Sequence, residues 1–251
     1  MDLSLTPLII APQDILSHLK QSCQMPQILR AIARQKLIEQ SAQDRGIHLS
    51  VEQLQAGADR LRAQHKLWGT AETQDWLQRH ALTLDDFERL IRHQLLADAL
   101  AIALFTPQLE AYFHAHQKDY TEVVFYEIAV QDADLALELY YALQEGEISF
   151  VEAAERYALD PEDRYRGGYR GKMRGQDLPA VMATAVYAAD SGQLLRPIAI
   201  GRDFHLVFVV EKIVPDLNPA LRQEILGALL EDWVDRQLQQ ISLELADDFG
   251  A

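Results

Sequence analysis

From the N-terminus to about residue 118, apolar residues recur every three or four positions, the spacing of helices that bury one face. Residues 26–45 set Ile28, Leu29, Ile32, Ala33 and Leu37 on one side and stop at Gly46, where a helix end favours a left-handed residue. Ser50 with Gln53, and Thr83 with Asp86, have capping-box spacing, and Thr70 is expected to cap a further helix. The helix opened by Thr83 runs from Leu84 to about Leu104 and is predicted to bury Leu84, Phe87, Ile91 and Leu95. Thr106-Pro107 starts a sixth helix with proline in its first turn. At Glu122 the period becomes two, with Val124, Tyr126, Ile128 and Val130 alternating with Val123, Phe125, Glu127 and Ala129, and this predicts a strand. Asp132 then caps a helix that ends at Gly146, and Ser149 with Glu152 boxes another carrying Phe150, Ala153 and Tyr157.

Three glycines in Arg166-Gly167-Gly168-Tyr169-Arg170-Gly171 describe a backbone that bends sharply instead of running as helix or strand. Beyond it come a short apolar helix from Leu178 to Ala189, a turn at Ser191-Gly192, and strands over Pro197 to Ile200 and Phe204 to Ile213. This order implies an α+β domain, a small mixed sheet with helical cover. After Pro215, Asn218-Pro219 opens a final helix running to about Leu245, with Leu221, Ile225, Leu229 and Trp233 on one face and Leu226, Leu230 and Val234 on the next. So wide a stripe needs neighbours on two sides, so this helix is expected to return to the N-terminal ones. The expected organisation is a helical module over 1–120, an inserted sheet domain over 121–214, and a C-terminal helix over 215–251 that completes the helical module.

Composition changes little in that picture: 49% hydrophobic and 24% charged residues in 251 are ordinary for a globular protein. Charge narrows the partners. With 23 basic and 38 acidic residues the net charge is -15, which repels nucleic-acid backbones and anionic lipid surfaces, so neither is an expected partner. The apolar stretch from Leu95 to Phe105, broken by Asp98, falls short of the roughly 20 residues of a membrane helix, so no membrane insertion is expected. Met1-Asp2 opens acidic and Ile9-Ile10-Ala11-Pro12 is too short for a secretory core, so cytoplasmic residence is the default, or export if a leader has been removed. Cys23 is the lone cysteine and cannot form an intrachain disulfide. His114 and His116, two apart on a helix, point to nearly opposite sides and cannot share an ion. No metal or cofactor motif is found. Trp68 and Trp76 are read as helix anchors, and Arg166, Arg170, Lys172, Arg174 and Arg202 as a solvated basic rim.

Candidate chemistry gathers between Asp160 and His205, one acid and one histidine framing the glycine run and a small helix. Residues 122–214 resemble the parvulin family of peptidyl-prolyl cis/trans isomerases. The carriers are Glu127-Ile128-Ala129-Val130, the helix from Phe150 to Tyr157, Asp160-Pro161, the run from Arg166 to Gly171, Gly192-Gln193, and Gly201 through His205. The helical part is similar to the chaperone module of SurA-like and PrsA-like foldases. The resemblance implies clients that are unfolded or extended polypeptides containing Xaa-Pro, no cofactor, and a monomer or a dimer. It also implies that Leu178 and Met182 line a proline pocket with Phe204 nearby, that Asp160 lies beside the substrate carbonyl, and that His205 is the family's second histidine. Glu127 stands where the family carries its first histidine, Met182 replaces the pocket phenylalanine, and Tyr169 replaces an acid. Rotating an Xaa-Pro bond faces a barrier of about 18–20 kcal/mol, and these departures imply weak or absent isomerisation with peptide binding retained. Glu127 close to Asp160 is expected to raise at least one carboxyl pKa unless His205 carries a proton to compensate. A second reading keeps the fold as a non-catalytic escort or scaffold for one client.

Overall fold

A computed structural model of the protein describes residues 9–242; the N-terminal Met1-Asp2, and Leu245 where the last helix was expected to end, lie outside them. In chain order the first helices are α1 (Pro12–Gln21), α2 (Met25–Asp44), α3 (Val51–Gln64), α4 (Thr70–Arg79), α5 (Leu84–Phe105) and α6 (Leu109–Tyr120). There follow β1 (Glu122–Val130), α7 (Ala133–Glu145), α8 (Phe150–Tyr157), α9 (Pro161–Tyr165) and β2 (Tyr169–Arg174). The chain closes with α10 (Ala180–Ala188), β3 (Gln193–Leu194), β4 (Ile198–Ile200), β5 (Asp203–Ile213) and α11 (Pro219–Leu238). Two compact units result, one of Met1–Leu109 with Arg222–Ala251, the other Glu110–Leu221. Among the described residues no helix is long and apolar enough to cross a membrane.

In the helical unit, local chemistry sets the helix starts. Ser50 Oγ accepts from the Gln53 amide at 3.2 Å while Gln53 accepts from the Ser50 amide at 2.8 Å, and Thr83 and Asp86 repeat the exchange. At α4 the cap is Gly69, and Thr70 is the first helical residue instead of the cap. The core gathers Leu61, Leu67, Trp76, Leu77, Phe87 and Ile91, with Trp76 meeting Phe87 edge-on at 6.1 Å. Several residues read as apolar anchors lie outside it: Leu84 is 70% exposed at the first position of α5, Trp68 is 76% exposed in the α3–α4 loop, and Ile28 and Ile32 of α2 are exposed too. Helix α11 buries Ile225, Leu229, Leu230 and Val234, and an Arg30–Asp235 ion pair of 2.6 Å and an Arg34–Glu231 pair join it to α2. It stops at Leu238, short of the expected end.

The sheet of the second unit has the order β2-β1-β5-β3, with β4 on β5, and every pairing is antiparallel instead of mixed. Helices α7 to α9 bring the chain back to the end of β1 that it left: the Leu159 amide already bonds the Ala129 carbonyl at 3.1 Å, and β2 then pairs Tyr169 with Tyr126 and Arg174 with Glu122. Strand β2 itself replaces the expected irregular bend. Its sequence, Tyr-Arg-Gly-Lys-Met-Arg, lacks an apolar alternation because it is an edge strand with neither face fully buried.

One sheet face packs Val123, Phe125, Val207 and Val209 against Met182, Val186 and Ala189. The other packs Ile128, Val130 and Leu206 against Ala136, Leu139, Ala153 and Ala154. At the junction of the glycine run with β1, Gly168 has φ +77° and a Cβ there would lie 2.7 Å from the Glu127 carbonyl oxygen. Only glycine admits that approach, which lets the Glu127 amide donate to the Gly168 carbonyl at 2.8 Å.

Candidate functional site

Strand periodicity puts Glu127, next after Phe125 on alternate positions of β1, on the α10 side of the sheet, and His205, two before Val207 on β5, beside it. The His205 Nδ1–H donates to Glu127 Oε1 at 2.6 Å. Arg170, reaching in from β2, donates from Nε to Glu127 Oε2 at 2.6 Å. Its two terminal nitrogens grip Asp163 of α9 end-on, each at 2.9 Å. Four side chains thus form one chain, Asp163–Arg170–Glu127–His205, with Glu127 and Asp163 both buried.

The two carboxylates are driven apart in acidity. Burial pushes the Glu127 carboxyl up, but the hydrogen bond from His205 and the Arg170 guanidinium outweigh it and hold the group below its ordinary value. Burial raises Asp163 above its ordinary value, with Arg170 opposing and the charges of Asp160 and Glu127 adding to the rise. An ionised Glu127 only accepts, so the proton of His205 facing it sits on Nδ1 and a substrate amide can meet only Nε2. The expected crowding of Glu127 with Asp160 is therefore corrected: the second carboxylate of the cluster is Asp163, held across Arg170, and the Glu127 carboxyl is depressed.

Asp160 caps α9, its Oδ1 accepting from the Glu162 amide at 2.9 Å. Leu178 is not on α10 but in the turn before it, where Pro179 supplies the cap, so the two residues expected four apart on one helix are not on it together. Leu178 packs half-buried on the cluster that contains Met182, and Met182 is 1% exposed within it. Phe204 belongs to the opposite face, against the Ile128 cluster, and does not join Leu178 and Met182. Tyr169 sits over Tyr126 with ring centres 5.3 Å apart.

Arg170 is the residue that sequence reading misassigned, since it is a half-buried partner of two carboxylates and not rim charge. The available signal was Glu127 itself, because a carboxylate in the middle of an apolar strand needs a cation. Among the described residues no three His, Cys, Asp or Glu side chains gather to hold a metal ion.

The domain is thus an antiparallel sheet covered by α7 and α8 on one face and α10 on the other, with a histidine–carboxylate pair on the α10 face. Residues 128–211 match the family model described as Rotamase, the PPIC-type PPIASE domain, and the chain carries that domain. Among solved structures, the peptidylprolyl isomerase PrsA from Bacillus anthracis is 19% identical with a TM-score of 0.50, over 88% of this chain and 100% of that one. PrsA from Bacillus cereus is 18% identical with a TM-score of 0.50, over 96% of this chain and 91% of that one. At these identities the likeness is one of fold. No curated protein matches the sequence.

Proposed function

We propose that the protein is a folding factor in which residues 1–120 with 215–251 hold extended polypeptide and residues 121–214 bind Xaa-Pro segments and isomerise them slowly. The observation that carries this reading is the Glu127–His205 pair on the sheet face that also bears the Leu178 and Met182 cluster, within a PPIC-type domain.

Isomerisation requires the C–N resonance to be weakened, either by excluding water around the proline or by donating a hydrogen bond to the twisting nitrogen. With Nδ1 committed to Glu127, the His205 ring can meet a substrate only through Nε2. With one tethered ring in place of a histidine pair, catalysis rests chiefly on exclusion of water by Leu178 and its apolar surroundings, with Asp160 at the rim, and is slow. A protease-coupled Xaa-Pro tetrapeptide assay tests this, with kcat/KM expected below about 10⁴ M⁻¹s⁻¹, the low end of enzymes. A value of about 10⁶ M⁻¹s⁻¹ or more overturns it. Glu127→His combined with Arg170→Leu is expected to raise the rate.

The non-catalytic escort reading is favoured by Met182 being fully buried and by Arg170 occupying the position between Glu127 and Asp163. Suppressed aggregation of several unrelated unfolded proteins supports the folding factor; tight binding of one partner and of no generic peptide supports the escort.

A further inference from the structure

On the sheet face turned away from Glu127 and His205, a cavity of about 700 Å³ opens between α7, the start of α8 and β3. Tyr140, Leu143, Ile148, Phe150, Leu194 and Phe208 form its walls, and the exposed Gln144 and Gln193 are among its polar lining. No charged side chain lines it. Its border along α7 and the start of α8 is acidic: from Gln131 to Glu155 the chain has seven acidic residues and no lysine or arginine, and Glu145 and Glu147 lie exposed beside Gln144, while on the β3 side the exposed Arg196 follows two residues after Leu194. Beyond β3, at the end of the sheet order, no further strand pairs among the described residues.

These features describe three demands on an occupant. Aromatic and aliphatic walls take bulky apolar side chains, the sheet edge takes an extended backbone as an added strand, and the acidic border takes cations while repelling anionic ligands. We propose that this groove binds an extended polypeptide segment, supplied by another molecule, with apolar residues at alternate positions and lysine or arginine beside them. It is a second peptide site, independent of proline and of the Glu127–His205 face. A chain held here is gripped by shape and charge without any requirement for an Xaa-Pro bond.

Fluorescence anisotropy with the full chain tests it, using a labelled nonapeptide in which Leu and Phe alternate with Lys and no proline is present. The same peptide with Glu for Lys is the control. The lysine peptide is expected to bind about tenfold or more tighter than its acidic counterpart, with the difference shrinking in high salt as charge is screened. Gln144→Arg, Glu145→Lys and Glu147→Lys combined, all at exposed positions, are expected to weaken binding of the lysine peptide about tenfold or more while thermal unfolding stays that of the parent. Equal affinity for the two peptides overturns the proposal, and this comparison needs no variant; so does unchanged binding by the folded triple variant. Failure of the Xaa-Pro assay with the charge preference intact sinks only the isomerase reading, and the reverse result sinks only the groove.

Discussion

Arg170 decides what Glu127 can be. A carboxylate in the centre of β1 loses its hydration, and the guanidinium with the His205 ring replaces it by direct bonds. Removing the cation leaves both Glu127 and Asp163 short of a partner. Arg170→Leu is expected to destabilise the domain by about 2–4 kcal/mol in urea unfolding, reduced from the fully buried case because 29% of the arginine side chain remains exposed. Adding Glu127→Gln should restore about half. A single-variant loss below about 0.5 kcal/mol would mean the network is merely a surface contact. None of this was legible locally, because the partners lie 43 residues apart and meet only when β2 pairs with β1. Leu178 and Met182 illustrate the opposite failure: a helical spacing was present in the sequence, but Pro179 starts the helix one residue after Leu178, and the pattern counted across that boundary.

At the scale of elements, what could be read was what is local. Capping boxes at Ser50, Thr83 and Ser149 are exchanges within four residues, and each appears where its spacing predicted. Strand β2 could not be read, because its rungs come from β1 and its own residues carry no alternation. The glycine run was legible as an irregularity but not as the device that lets an edge strand approach β1. Two glycines with similar torsions separate these roles. Gly146 closes α7 at φ +74° with open space around a notional Cβ, so Gly146→Ala is expected to cost about 1 kcal/mol. Gly168→Ala adds a contact of 2.7 Å to backbone and is expected to cost about 3 kcal/mol or more. Equal losses for the two in urea unfolding would refute the role assigned to Gly168.

For the molecule as a whole, acid is the informative perturbant. Asp86, bonded to Thr83 at the start of α5, is held down to about 2, and Glu152 and Glu52 are lowered beside their capping serines. Glu127 is lowered by its network. Groups depressed in the fold contribute stability that is present above their unfolded values of about 3.9–4.3 and is lost as pH falls through the folded ones. Asp98 and Asp163 are raised, chiefly by burial, and act with the opposite sign. A circular-dichroism titration is expected to show stability declining below about pH 4, with Glu127→Gln flattening the decline. A decline that the variant leaves untouched would separate the Glu127 network from acid unfolding. The wide stripe on α11 was legible as a need for neighbours on two sides. Which partners met it was not, since the Arg30 and Arg34 pairs join residues about 200 positions apart.

The chain of charges running through Glu127 and Arg170 also constrains how this sequence can drift. Each member leans on the other, since Glu127 without Arg170 keeps only His205, and Arg170 without Glu127 keeps only Asp163. A lineage that exchanges Glu127 for a neutral residue passes through a weakened intermediate unless Arg170 has already changed, and the same holds in reverse. The two positions are coupled, so a change at position 127 towards isomerase chemistry costs stability until position 170 changes with it.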